Sequence, residues 1–243
     1  MASDLFSKSL SATVQEERLT VFYERPGARA ATLAAVRTLV ADHFVGESVI
    51  LQAGGYAKAA ATIANSLPTN KRTRSGDLGE LLATEYVDAE TGFVIPFRKL
   101  RYKSDRQMPM HGNDIIAVDA TQKPLAVLKG ECKSRVAFTA ATVAEAAAGL
   151  DKHGGRPNPS TLAFIAKRLY EAKRDVDADL YRDLQCKGAI TPKQVTHLVF
   201  ALCGNDPASC LKATPRPKRS GIKREAAAVV IRDHAAFVRK VFT

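Results

Sequence analysis

Four residues have the types and spacing to do chemistry together: Glu80, Asp114, Glu131 and Lys133. Along a strand, residues two apart share a face, so Glu131 and Lys133 point one way and Cys132 the other. A hairpin with its turn centred near residue 122 sets Asp114 opposite Glu131, and a preceding helix can bring Glu80 over the same edge. Two adjacent carboxylates repel, and one pKa rises unless a cation lies between them. Hard oxygen ligands of this kind suit Mg²⁺, with Mn²⁺ as the substitute. Lys133 beside such an ion could orient or deprotonate an attacking water, or stabilise charge building on phosphorus. Glu80, Asp114 and Glu131 are therefore candidate metal ligands, and with Lys133 candidate catalytic residues for phosphodiester hydrolysis. The competing reading makes Glu131 and Lys133 an ordinary ion pair at a strand end, and Asp114 a turn residue after Gly112-Asn113.

These residues need elements to position them. Asp77 can cap a helix that starts near Leu78 and ends before Gly92, after a basic linker at 69–76. Three strands are expected at 93–102, 114–120 and 124–133, the last two joined by the polar turn DATQKP. A helix over 139–153, a longer one from about Ser160 to Lys187, and a buried strand at 196–204 follow. Ahead of this core, the spacing predicts a strand at 19–24, a helix over 28–45, a short strand at 49–52 and an Ala-rich helix over 56–67. A strand at 226–231 and a short final helix close the chain. The fold class is α/β, divided into a mixed N-terminal extension (1–70), a core (71–211) and a basic C-terminal segment (212–243).

The charge has a direction. Of 243 residues, 36 are Lys or Arg and 25 Asp or Glu, a net charge of +11. The N-terminal extension is neutral, with six of each sign, whereas the last 32 residues carry nine basic and two acidic side chains. That asymmetry points to a polyanionic partner, most often nucleic acid. The first residues show no apolar stretch behind a basic one, and no run reaches the roughly 18 apolar residues of a membrane span. The absence of a CxxC pair among Cys132, Cys186, Cys203 and Cys210 argues against a zinc ribbon, and the expectation is reduced thiols in a cytoplasmic, non-membrane protein.

GDLGE (76–80) on a helix, GND (112–114) entering a strand and GECK (130–133) ending the next resemble the PD-(D/E)XK nuclease pattern. The longer runs RTRSGDLGELLATEYV, PFRKLRYKSDRQMPMHGND and KGECKSR resemble the HamA-like nuclease family of Hachiman anti-phage defence systems. The resemblance is best over residues 70–135. It implies a restriction-endonuclease-like core of helix, three-strand meander, helix and strand. It implies a Mg²⁺-dependent DNA nuclease working with a HamB-like helicase subunit. By position Glu80, Asp114, Glu131 and Lys133 take the acidic-triad and lysine roles, with Asn113 where the superfamily often has proline.

Other residues carry two readings each. Arg98, Lys99, Arg101, Lys103 and Arg106 either contact phosphate or keep an edge strand solvated. His111, Ser134 and Arg135 could reach the scissile phosphate, and Lys152–Gly155 is a phosphate-binding turn or a helix end. Residues 212–224 form a DNA-binding arm or a solvated linker. The alternatives to a DNA nuclease are a non-catalytic DNA-binding or helicase-docking module on the same fold, and an RNA-directed nuclease.

Overall fold

The computed structural model describes residues 5–16, 18–186 and 188–243. Its centre is one six-stranded sheet: β1 (Leu10–Glu16), β2 (Leu19–Glu24), β3 (Ile115–Asp119), β4 (Ala126–Arg135), β5 (Val195–Cys203) and β6 (Lys223–Val230). The spatial order is β1-β2-β6-β5-β4-β3. The pairs β2–β6, β6–β5 and β5–β4 are parallel, while the outer pairs β1–β2 and β4–β3 are antiparallel. The sheet thus takes strands from the N-terminal extension, the core and the C-terminal segment alike. All nine residues of β5 are buried, as a central strand covered on both faces should be.

Helices cover both faces. On one lie α1 (Arg29–Phe44), α4 (Lys71–Glu90) and α9 (His234–Val241), whose Val36, Leu78, Leu81 and Phe237 pack with Leu128, Phe200 and Val229 of the sheet. The opposite face holds α5 (Ala140–Asp151) and α8 (Ala208–Lys212), with Val143, Ala146 and Leu150 against Val199, Ala201 and Ala228. Beyond it, α6 (Pro159–Glu171) and α7 (Asp175–Asp183) close over Ile116, Val127 and Val195. The short α2 (Glu47–Gln52) and α3 (Tyr56–Ser66) lie at the margin of the first face, packing the partly buried Ile50 and Ile63 against its core. No described helix is long and apolar enough to cross a membrane.

Several expectations need correction. Residues 49–52 lie in α2, because an apolar run of three, Val49–Leu51, fits either period. α4 begins at Lys71, where the Asn70 side chain accepts the Thr73 N–H at 2.7 Å, so the basic stretch is helix and Asp77 is not its cap. The strand expected at 93–102 reduces to one bridge, Val94 to Val118. Pro96 cannot donate to a ladder, and a 3₁₀ turn follows at Lys99–Tyr102. The meander therefore has two strands and a bridge. The helix expected from Ser160 to Lys187 breaks after Glu171, and its last expected residue, Lys187, lies outside the described residues. Lys173 adopts φ 57°, and the Arg174 and Lys173 amides close back on Leu169 and Tyr170. Val176, which the spacing of a continuous helix would align with Leu169 and Leu180, is exposed.

Candidate functional site

The β3–β4 hairpin pairs Ile115 with Gly130 through to Asp119 with Ala126. That register sets Asp114, one step before β3, against Glu131. The Asp114 Oδ2 accepts the Cys132 N–H at 2.8 Å, so a carboxylate continues the ladder where the backbone leaves it. Gly130 is required here, because a Cβ would come within 2.9 Å of Ile115 Cβ. Gly112 has φ +99°, and a Cβ there would strike Thr161 Oγ1 at 2.3 Å. Asn113, where a proline was the familiar alternative, is buried and ties the turn down. It donates its N–H to Thr161 Oγ1, and its side-chain oxygen accepts from the Asn158 amide.

Glu80 reaches the strand end from the other face. Gly79 lets α4 ride close on β4, since a Cβ would lie 2.8 Å from Cys132 Sγ. Burial lifts the Glu80 pKa to about 7, Lys99 pulls it down, and the neighbouring Asp114 and Asp77 push it further up. Lys99 Nζ sits 3.4 Å from Glu80 Oε2 and donates to the Asn113 carbonyl at 3.0 Å. Burial opposes its charge, but Glu80, Asp114 and Asp77 hold it above its ordinary pKa. Asp77 is buried too, its pKa raised to about 6 by desolvation although Lys103 Nζ lies 2.7 Å away.

On the face with Glu131 and Lys133, α5 lies along β4. Lys133 Nζ contacts Glu131 Oε1 at 2.9 Å and Glu145 Oε1 at 3.0 Å. Burial would lower the Lys133 pKa, but the two carboxylates more than offset it, so the side chain is an ammonium rather than a base. Glu131 is held above its ordinary pKa by burial and then by Asp114, against the pull of Lys133. Its carboxyl packs on Gly149, where a Cβ would come within 2.9 Å.

The donor set suits a hard divalent cation in kind, because burial raises the pKa of both Glu80 and Glu131 and Asp114 adds to the repulsion on each. Among the described residues, however, no three His, Cys, Asp or Glu side chains converge closely enough to hold a metal ion. Glu80 turns to Lys99 and Glu131 to Lys133, and these ammonium groups supply the compensating charge. A cleft of about 610 Å³ opens over this region, lined by Glu80, Lys133, Arg135, Arg72 and Glu145 among others.

A model of the HamA family matches residues 9–242. The chain belongs to the HamA family. It is also similar to Hachiman protein HamA of Bacillus cereus, 31% identical over 154 residues, which is 63% of this chain and 54% of that protein. The match thus spans about half the length of the curated relative.

In this HamA-family chain the basic run before Asp114 is drawn into internal pairs, and it lies on no edge strand that it could keep solvated. Arg98 pairs with Glu85 and Asp88, Arg101 with Asp42, Lys103 with Asp77, and Arg106 with the Asn65 carbonyl. Lys99 and Lys103 thereby join the site as internal counter-charges. The sequence signal for them was an i, i+4 pair of lysines before an acidic cluster, misread once a strand was expected. Glu145 was missed because an Ala-rich helix hides one functional carboxylate. Ser134 is buried between Ser75 Oγ and His234 Nε2, at 2.8 and 2.9 Å, so it is committed to packing. His111 is exposed, Arg135 is half-exposed, 3.6 Å from Glu145, and Lys152–Gly155 forms the helix end, with His153, Gly154 and Gly155 at positive φ. Of the 212–224 segment, Arg224 is anchored to Asp151 at 2.6 Å and to the Pro215 carbonyl.

Proposed function

We propose that this chain is a metal-dependent DNA nuclease of the PD-(D/E)XK type, working with a HamB-like helicase in Hachiman anti-phage defence. The observation that carries the reading is the hairpin register, which sets Asp114 against Glu131 with Lys133 on the same strand face. Family membership and the likeness to a Hachiman protein support the defence role and the partner. The two-strand hairpin flanked by α4 and α5 supports a restriction-endonuclease-like core.

Glu80, Asp114 and Glu131 would hold Mg²⁺ or Mn²⁺. When bound, the ion supplies a Lewis acid for a phosphoryl oxygen and an acidified water. Asp114 is pre-positioned by the Cys132 amide. Lys133, held as an ammonium by Glu131 and Glu145, would stabilise negative charge on the phosphate. Glu80 would have to leave Lys99, now 3.4 Å away, to serve as a ligand.

Cleavage of plasmid and linear DNA in Mg²⁺ by Lys133→Ala and Glu131→Ala tests this. The expected loss is about 10²-fold or more for each, with circular dichroism and DNA binding retained. Unchanged cleavage by both rejects the assignment. The unconverged carboxylates favour a second reading, a DNA-binding or docking module without catalysis. Calorimetric titration with Mg²⁺ and Mn²⁺ separates the two: no uptake of either ion, beside salt-dependent DNA binding, supports the second.

A further inference from the structure

A second cavity, of about 770 Å³, lies on the other side of Asp114. Its walls are mostly apolar, but its chemistry is more particular than that of a greasy groove. Phe97, Tyr102 and Phe164 meet edge to face, with centroids 5.1 to 6.1 Å apart. The Arg168 guanidinium lies 5.0 Å from the Tyr102 centroid and 5.2 Å from that of Phe164. Its Nε is buried and finds no acceptor among the described residues. All three rings are only half-buried.

The position matters as much as the lining. Lys99 and Tyr102 occupy the two ends of one 3₁₀ turn, and side chains three apart in such a turn eclipse on one side. Both line this cavity, with Asn113 and Asp114. The charged cleft that holds Glu80, Lys133 and Arg135 shares Pro109 with it, so the two adjoin there, with Asp114 lining the one and Glu80 the other. One side offers Arg72, Lys133 and Arg135 beside as many carboxylates, the other flat rings and a guanidinium plane. Cavities of this size enclose a small flat molecule, and every nucleobase has a π-face to stack.

We propose that the cavity of Phe97, Tyr102, Phe164 and Arg168 receives one unpaired base of a single DNA strand whose phosphate lies at Asp114 and Glu131. This rests on the nuclease reading and adds a substrate form to it. A base held in a duplex cannot enter a pocket without leaving its stack, so single-stranded or end-frayed DNA is the preferred substrate. A helicase partner would supply such a strand.

The test uses the full chain in EDTA with a single-stranded oligonucleotide carrying one 2-aminopurine. Binding is read by anisotropy and base stacking by fluorescence quenching. The wild-type protein is expected to quench the probe. Tyr102→Leu/Phe164→Leu should lose the quench and bind about ten- to a hundredfold more weakly, the range for stacking of one base. Equal quenching and affinity in the double variant overturns the proposal. So does absence of quenching by the wild-type protein. If cleavage of DNA in Mg²⁺ nevertheless persists in that protein, the pocket alone falls; if DNA is neither bound nor cut, the nuclease reading falls with it. Should the double variant unfold, the single variants Tyr102→Phe and Arg168→Lys decide. Phenylalanine keeps the stack and the quench, while lysine removes the guanidinium plane and weakens both. No change with Arg168→Lys also overturns the proposal.

Discussion

Lys133 and Glu145 are joined across the strand–helix interface, Nζ to Oε1 at 3.0 Å. The pair is one rung of three. Further along the same face of β4, Glu131 rests on Gly149, and Lys129 Nζ donates to the Leu150 and Lys152 carbonyls at 2.7 and 2.9 Å. Two strand residues span about the same length as four helix residues, which keeps the rungs in step. The helix therefore sets where the site's lysine points. Because Glu145 is half-exposed, it is the rung that can open.

Neutralising Glu145 should strengthen attraction for DNA. In the cleft it adds negative charge next to Lys133 and Arg135, which a phosphate would otherwise meet. Glu145→Gln is expected to tighten DNA binding about two- to fivefold at low salt, one exposed like-charge contact being worth up to about 1 kcal/mol, with the gain shrinking as salt rises. Anisotropy titrations from low to high salt check it. Equal affinities throughout would mean that Glu145 lies off the path of the DNA.

The share of stability that depends on Glu80 and Asp77 should fall as pH rises from about 4 to 7, while the buried His43, His197 and His234, held below their ordinary pKa, work the other way below about pH 6.5. Glu80 and Asp77 have folded pKa values of about 7 and 6, raised above the unfolded values of 4.5 and 3.8. In that window these two groups bind more protons in the folded state than in the unfolded one, so their share falls as pH rises, opposite to the usual paired carboxylate. Glu80→Gln should raise Tm at pH 8 and flatten the slope, because an amide oxygen still faces Lys99 without a buried charge. Mg²⁺ should raise the wild-type Tm more at pH 8 than at pH 5, and should not do so in Glu80→Gln. Thermal melts across pH, with and without Mg²⁺, decide. A Tm difference between Glu80→Gln and the wild type that does not widen with pH would contradict the arrangement.

What was legible in the sequence was whatever depended on pairing geometry. The hairpin could be folded on paper because alternation and a polar turn leave one register that keeps Ile115, Ala117 and Leu128 on a common face. The same reasoning failed for 93–102, where β-like residues surround Pro96 and the ion pairs of Arg98 to Lys103 lock a turn instead. Long-range electrostatics was invisible: nothing local couples Lys99 to Glu80, or Glu145 to Lys133. The break after Glu171 was also hidden, since Lys173 adopts a left-handed conformation usually signalled by glycine.

Lys129 should matter more for stability than its charge suggests. It is fully buried, aligned with His197 on β5 and, through it, with Arg224 on β6. Burial lowers its pKa to about 8, with Glu131 and Asp151 opposing that shift. A depressed lysine makes the unfolded state the better proton binder between pH 8 and about 10.4, so this group adds stability as pH rises there. Lys129→Ala leaves two carbonyls at the α5 end without their donor and opens a cavity, an expected loss of about 2–4 kcal/mol. Urea unfolding at pH 7 measures it. A loss under about 1 kcal/mol would show that water replaces the amine and that α5 is held elsewhere.

The seat of α4 can be tested through Gly79 and Cys132 together. In a free helix Gly→Ala would stabilise by about 1 kcal/mol. Here the new methyl would lie 2.8 Å from Cys132 Sγ and 3.2 Å from Ser134 Cβ, and overpacking of that kind costs about 1–3 kcal/mol. Gly79→Ala should therefore destabilise. Cys132→Ala removes the sulfur and leaves a small void, costing stability by itself. In the double variant the methyl moves into the vacated space, so its cost should fall below the sum of the singles by about 0.5–2 kcal/mol. Additive effects would mean that Ser134, not the sulfur, limits the approach. The same cycle run on DNA cleavage carries the argument to function. Gly79→Ala pushes the helix bearing Glu80 off the strand bearing Glu131, and Cys132→Ala lets it return, so cleavage should drop in the single variant and recover in the double.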